Sequence, residues 1–259
     1  MNDVKVWNAA VFRVTVATAA RNLLSLLWGG EHCICCGKPS LGEAVCQKCK
    51  RLRFLSFVPP GPARCDCCGK VLLGERGRCM DCRRNVLLES VDAVLPLYPY
   101  RLWYKEALFS WKMKCKRSLS PLFARAAASA LNLWCGGGRC VLVPVPPRPG
   151  KLRHHGWDQI QELCWFLHAL YGFSVMHLLE RLSVNQQKKL RRAERIKGAS
   201  NSYAIAYHSK RWWRRHGIPD EVVLVDDVLT TGVTAESCAR LLKSLGIEKV
   251  RVLTLFIVD

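Results

Sequence analysis

Val222-Val223-Leu224-Val225-Asp226-Asp227-Val228-Leu229-Thr230-Thr231-Gly232-Val233-Thr234 joins an apolar run, two adjacent carboxylates and a small hydroxyl-rich loop. The four leading apolar residues, three of them β-branched, fit a parallel strand covered on both faces, with the acidic pair at its carboxyl end. Ligands of open α/β sheets bind at that edge. Beyond the loop, Ala235, Cys238, Ala239, Leu241, Leu242 and Leu245 recur at helical spacing up to Gly246, a C-cap residue, and 250–258 reads as the next strand. The unit is strand, loop, helix, strand, which predicts an α/β fold.

In that geometry Thr230, Thr231, Gly232, Val233 and Thr234 would wrap a phosphate with backbone N–H groups and hydroxyls at a helix N-terminus, where the dipole favours an anion. Asp226 and Asp227 repel a phosphate, but they can accept hydrogen bonds from ribose hydroxyls or hold Mg²⁺ directly or through water. The plainer alternative is an acidic turn followed by an N-capped helix. One carboxylate would satisfy it, whereas this run supplies two, with three threonines and a glycine close behind. The run resembles the phosphoribosyl pyrophosphate signature of type I phosphoribosyltransferases. A Walker-type loop is excluded, because no Gly-Lys-Ser/Thr follows the strand.

The chain has 259 residues, 50% of them hydrophobic, which is enough for a substantial core. Forty Lys and Arg against twenty Asp and Glu give a net charge of +20, which favours nucleic acid or phosphorylated small molecules as partners. Arg13 and Arg21 interrupt the apolar stretch 4–28 well short of a spanning length, so no membrane span is expected. Phe12, Val16, Ala19, Leu23, Leu26 and Leu27 instead predict an amphipathic lead helix within 1–30.

Ten of the fifteen cysteines crowd between Cys33 and Cys82 in paired spacing. Cys33 and Cys36 precede Cys46 and Cys49; Cys65 and Cys68 precede Cys79 and Cys82, so one unit occurs twice. Two residues between cysteines let both thiolates reach one tetrahedral Zn²⁺, and Gly37 and Gly69 allow the tight turn after each first pair. Eight ligands suffice for two structural ions, and the spacing alone leaves open one ion or two, and whether the pairs interleave. Cys35 and Cys67 sit between ligating positions in both copies. Zinc thiolates point to a reducing, cytoplasmic setting. The organisation expected is a lead helix over 1–30, a duplicated zinc-binding module over 31–87 and the α/β domain over 88–259.

Val141-Leu142-Val143-Pro144-Val145-Pro146 reads as a buried strand broken by prolines, followed by the basic cluster Lys151, Arg153, His154 and His155. Arg211-Trp212-Trp213-Arg214 interleaves cations with large aromatics, the chemistry that stacks and neutralises single-stranded nucleic acid; an edge segment with inward tryptophans is the alternative.

The paired cysteines, Val143-Pro144-Val145-Pro146, Gly156-Trp157-Asp158-Gln159, 192–195 and the acidic signature together resemble the ComF family of phosphoribosyltransferase-like proteins, from Cys33 to the end of the chain. The resemblance implies a zinc module before a type I phosphoribosyltransferase-like parallel sheet with helices on both faces. Many members are associated with natural competence, which implies single-stranded DNA and a DNA-uptake helicase or recombination factors as partners. If the domain is a phosphoribosyltransferase, Asp226 and Asp227 would hold ribose and metal, the 230–234 loop the 5′-phosphate of phosphoribosyl pyrophosphate, and Arg148, Arg153 or Arg195 the leaving pyrophosphate. The chain departs from the family where Arg-Gly-Phe-Asn-Gln becomes His155-Gly156-Trp157-Asp158-Gln159, and where an Asn is missing before Gly198-Ala199-Ser200.

Overall fold

The computed structural model describes residues 31–40, 42–56, 63–84, 88–136, 140–151, 156–182, 202–207 and 217–258; the expected lead helix lies outside them. Five parallel strands form the central sheet: β3 (Ala93–Pro99), β4 (Val141–Pro144), β5 (Ser174–Val175), β8 (Glu221–Leu229) and β9 (Lys249–Ile257), in the order β3-β9-β8-β4-β5. Small antiparallel pairs are made by β1 (Glu31–His32) with β2 (Pro39–Ser40) and by β6 (Leu179–Arg181) with β7 (Tyr203–Ile205). Helices α1 (Gln47–Cys49) and α2 (Met80–Arg84) belong to the cysteine-rich region. The longer helices are α3 (Leu102–Lys112), α4 (Ser120–Trp134), α5 (Gln159–Tyr171) and α6 (Val233–Lys243).

Strand alternation sorts the apolar run of β8 onto two faces. Val223 and Val225 share a core with Phe123, Leu131, Leu163 and Leu167 of α4 and α5, while Val222 and Leu224 pack with Ala235, Ala239 and Leu242 of α6. Both faces of the sheet are therefore covered, as a continuous apolar strand requires.

The topology fixes where a ligand can enter. From β4 the chain crosses through α5 to β5 on one side; from β8 it crosses through α6 to β9 on the other. Loops that leave neighbouring strands for opposite faces open a crevice between them, the switch point where α/β sheets bind ligands. β4 ends at Pro144, opposite Val225, so Asp226 and Asp227 stand just past it. β8 itself runs on to Leu229 alongside β9, so the acidic pair lies inside the strand rather than at its end.

The cysteine-rich region shares its core with the sheet. Phe54, fully buried, meets Tyr98 of β3 and Tyr104 of α3 at ring centroid distances of 5.4 Å each. The hydroxyls of Tyr98 and Tyr104 donate to the carbonyls of Phe54 (2.5 Å) and Arg53 (2.7 Å), which anchors the backbone after α1. Phe54→Ala is expected to lower unfolding stability by about 3–5 kcal/mol, measured by urea denaturation. A loss below about 1 kcal/mol would show that this contact is not part of the core.

Candidate functional site

Asp227 is the centre of the crevice. Its side chain is 6% exposed, and its Oδ2 accepts from Lys112 Nζ at 2.6 Å and from Gln159 Nε2 at 2.7 Å. Lys112 ends α3 next to Trp111, which is fully buried and donates its indole N–H to Ser120 Oγ at 2.8 Å. Ser120 in turn donates to Glu162 of α5, which also takes Arg117.

Gln159 opens α5, whose N-cap is Asp158. One oxygen of Asp158 accepts from the backbone N–H groups of Ile160 and Gln161, both at 3.0 Å, the usual work of a capping carboxylate. Its other oxygen takes Lys151 Nζ at 2.7 Å, and the same ammonium reaches Gln159 Oε1. A chain of partners thus runs Lys112, Asp227, Gln159, Lys151, Asp158 across the mouth of the switch point.

Asp226 is different. It is partly open to solvent, and its Oδ1 accepts the backbone N–H of Asp227 at 2.8 Å. Burial, and then the adjoining charge of Asp227, push its carboxyl up to about 7. The two carboxylates therefore have separate environments: Asp227 is buried among its partners, whereas Asp226 is half-buried near Tyr203 and Cys238 on the face covered by α6.

The hydroxyl loop closes the other side. Thr230 and Thr231 are exposed, Gly232 is the N-cap of α6 at φ 82°, Val233 is exposed, and Thr234 hydrogen bonds with Tyr203 of β7. A Cβ at Gly232 would meet Leu88 Cδ2 at 2.9 Å, so only glycine combines this left-handed backbone with that approach. Arg148 is exposed on the loop after β4, across the switch point. Arg153 and Arg195, and Arg211, Trp212, Trp213 and Arg214, lie outside the described residues.

Each cysteine unit closes on itself rather than interleaving with the other. The sulfurs of Cys33, Cys36, Cys46 and Cys49 lie within 4.8 Å of one another, as do those of Cys65, Cys68, Cys79 and Cys82. Cys36 and Cys46, and Cys68 and Cys79, stand 3.8 Å apart. A tetrahedron with Zn–S bonds of about 2.3 Å has edges of about 3.8 Å, so both groups can hold zinc. Burial raises the thiol of Cys33, but backbone hydrogen bonds at Cys46, Cys35 and Cys36 outweigh it and bring it down to about 6. Cys65 is brought to about 7 in the same way, with Cys79 N–H 3.3 Å from its sulfur. Cys35 belongs to neither set and is pushed up to about 12, mainly by burial; Cys67 is likewise outside both. Among the described residues no helix is long and apolar enough to cross a membrane.

Lys112 and Gln159 are site residues to which sequence reasoning gave no role, and Lys151, read there only as part of a basic cluster, proves to pair with Asp158. Asp158 carried a readable signal as the polar residue preceding an apolar helix. Lys112 carried none, because its partner lies 115 positions away.

A parallel sheet with an acidic pair and a hydroxyl loop near its switch point thus stands beside two Cys₄ groups. "Competence protein ComFC" of Streptococcus pneumoniae (strain ATCC BAA-255 / R6) is 22% identical over 236 residues, spanning 90% of this chain and 91% of that protein. The similarity runs along nearly the whole of both chains. No family model matches the chain.

Two outcomes are expected. The folded state holds the Asp226 proton more tightly than the unfolded chain, so that stabilisation is complete below about pH 4 and lost as pH rises through about 7. Asp226→Asn removes the loss, so above pH 7 the variant is expected to be more stable than the native chain by on the order of 2 kcal/mol, with the two converging at acid pH. Denaturation across that range measures it, and a constant gap would contradict it. Metal analysis is expected to find two zinc ions, falling to one in Cys46→Ser/Cys49→Ser.

Proposed function

We propose that the chain is a phosphoribosyltransferase-like protein that binds phosphoribosyl pyrophosphate with Mg²⁺ in the β4/β8 crevice and serves in the DNA handling of natural competence. The observation that carries this reading is the junction at the end of β4: a half-buried Asp226, a sealed Asp227 and a hydroxyl loop at the N-terminus of α6. Asp226 takes the ribose hydroxyls or Mg²⁺, and Asp227 holds the walls around it. Thr230, Thr231, Gly232, Val233 and Thr234 surround the 5′-phosphate, with Arg148, Arg153 and Arg195 available to the pyrophosphate. The Cys₄ groups hold structural zinc. Transfer, if it occurs, is attack on C1 with departure of pyrophosphate, helped by positioning and charge.

A second reading, a non-catalytic accessory protein for single-stranded DNA that retains the fold, is favoured by the net charge of +20. In it Arg211, Trp212, Trp213 and Arg214 contact the strand, and a DNA-uptake helicase or recombination factors are partners. The name of the pneumococcal relative fits either reading.

Calorimetry of phosphoribosyl pyrophosphate and Mg²⁺ separates them. The native chain is expected to give a binding heat that Asp226→Ala weakens by tenfold or more, about 1.4 kcal/mol. No heat from the native chain, or equal affinity in both, would reject the ligand reading. For the second reading, binding of an oligothymidine strand is expected to fall steeply with salt and with Trp212→Ala/Trp213→Ala.

A further inference from the structure

We propose that the second Cys₄ module is a wall of the ligand loop: metal held by Cys65, Cys68, Cys79 and Cys82 sets the conformation of 230–232, whereas metal in the first module does not. The inference rests on the ligand reading above only for its consequence, and on geometry for its cause.

The module and the loop face each other across one cleft of about 370 Å³. Cys67, Cys68, Cys79 and Cys82 line one side, and Leu229, Thr230, Thr231 and Gly232 the other. Leu88 forms the contact. It is 8% exposed, packs in the core beneath α6, and lies where a side chain on Gly232 would have to go. Ser90 supplies the second hold. Its backbone N–H and its hydroxyl both donate to the buried carboxylate of Glu236, each at 2.8 Å, which fixes the first turn of α6. The segment following the module therefore supports the loop from below at Leu88 and at its helical end through Ser90.

The other end of the module is fixed to the sheet. Gly69, directly after Cys68, lies against β3 so closely that a Cβ would stand 2.2 Å from the Val94 carbonyl oxygen and 2.5 Å from Pro96 Cδ. Arg64, directly before Cys65, donates Nη1 to the carbonyls of Gly69 (2.7 Å) and Pro96 (3.0 Å). Between these holds the module has little core of its own. Its buried cluster is Leu72 with Cys65, Cys79 and Cys82, far too little apolar surface to keep the unit shaped without a central ion. The first module differs on both counts, because Cys33, Ala44, Val45, Cys49 and Phe54 join the main core against α3 and α4.

Amide hydrogen exchange on the full chain tests this directly. Cys79→Ser/Cys82→Ser is expected to speed exchange at 229–236 by tenfold or more, while Cys46→Ser/Cys49→Ser, with the same loss of zinc, leaves those amides within about twofold of native. Equal acceleration by both pairs, or none by Cys79→Ser/Cys82→Ser, would overturn the proposal. Leu88→Ala keeps all eight thiolates and guards against a cysteine variant that fails to fold. It is expected to retain the native zinc content, to speed exchange at 229–236 and to weaken phosphoribosyl pyrophosphate binding about tenfold. Native exchange in Leu88→Ala would overturn the proposal by itself. If the native chain gives no ligand heat, the ligand reading fails while the exchange result still decides the coupling.

Discussion

The buried Asp227 carboxylate constrains much of this structure. A charge with 6% exposure is tolerated only when its lone pairs are taken, and here one oxygen takes an ammonium from α3 and an amide from α5. Gln159 is held in turn by Lys151, which also pairs with Asp158, while the helix end that carries Lys112 is pinned by buried Trp111 through Ser120. Two helices and the loop after β4 thereby converge on the end of β8. The neighbouring carboxylate stands outside that network and is half-buried, with its proton held up to about neutral pH by burial and by the charge beside it.

A similar economy governs the cysteine-rich region. Neither Cys₄ unit has enough apolar surface for an independent core, so each borrows from the sheet in its own way. The first contributes Phe54 and several small residues to the face covered by α4 and α5. The second attaches through a glycine, an arginine and the Leu88 to Ser90 segment, which also touch β3 and the start of α6. Metal content and the shape of the crevice are thus linked through side chains that ligate nothing.

Much of this was legible in sequence because it is written locally. The β8 run alternates nothing and so predicts a strand covered on both faces; Ala235 to Leu242 gives the helix that covers one of them, and the cysteine spacing gives the eight ligands, though not how they divide. What escaped is non-local. The division of labour between Asp226 and Asp227 depends on Lys112 and Gln159, which are distant in sequence and carry no motif of their own. The spacing puts the acidic pair at the end of β8, yet the strand runs two residues past it to Leu229, because pairing with β9 continues on one side while β4 stops on the other. Nothing in the spacing said that one cysteine module would stand against the hydroxyl loop.

The measurement that bears most directly on this account is a double-mutant cycle between Lys112 and Asp227, read by denaturation. Lys112→Met alone leaves a buried carboxylate without its cation, so it is expected to cost more stability than Lys112→Met/Asp227→Asn, with a coupling of about 1–3 kcal/mol. Additive losses would mean that the pair is a surface contact and that Asp227 does not organise the crevice.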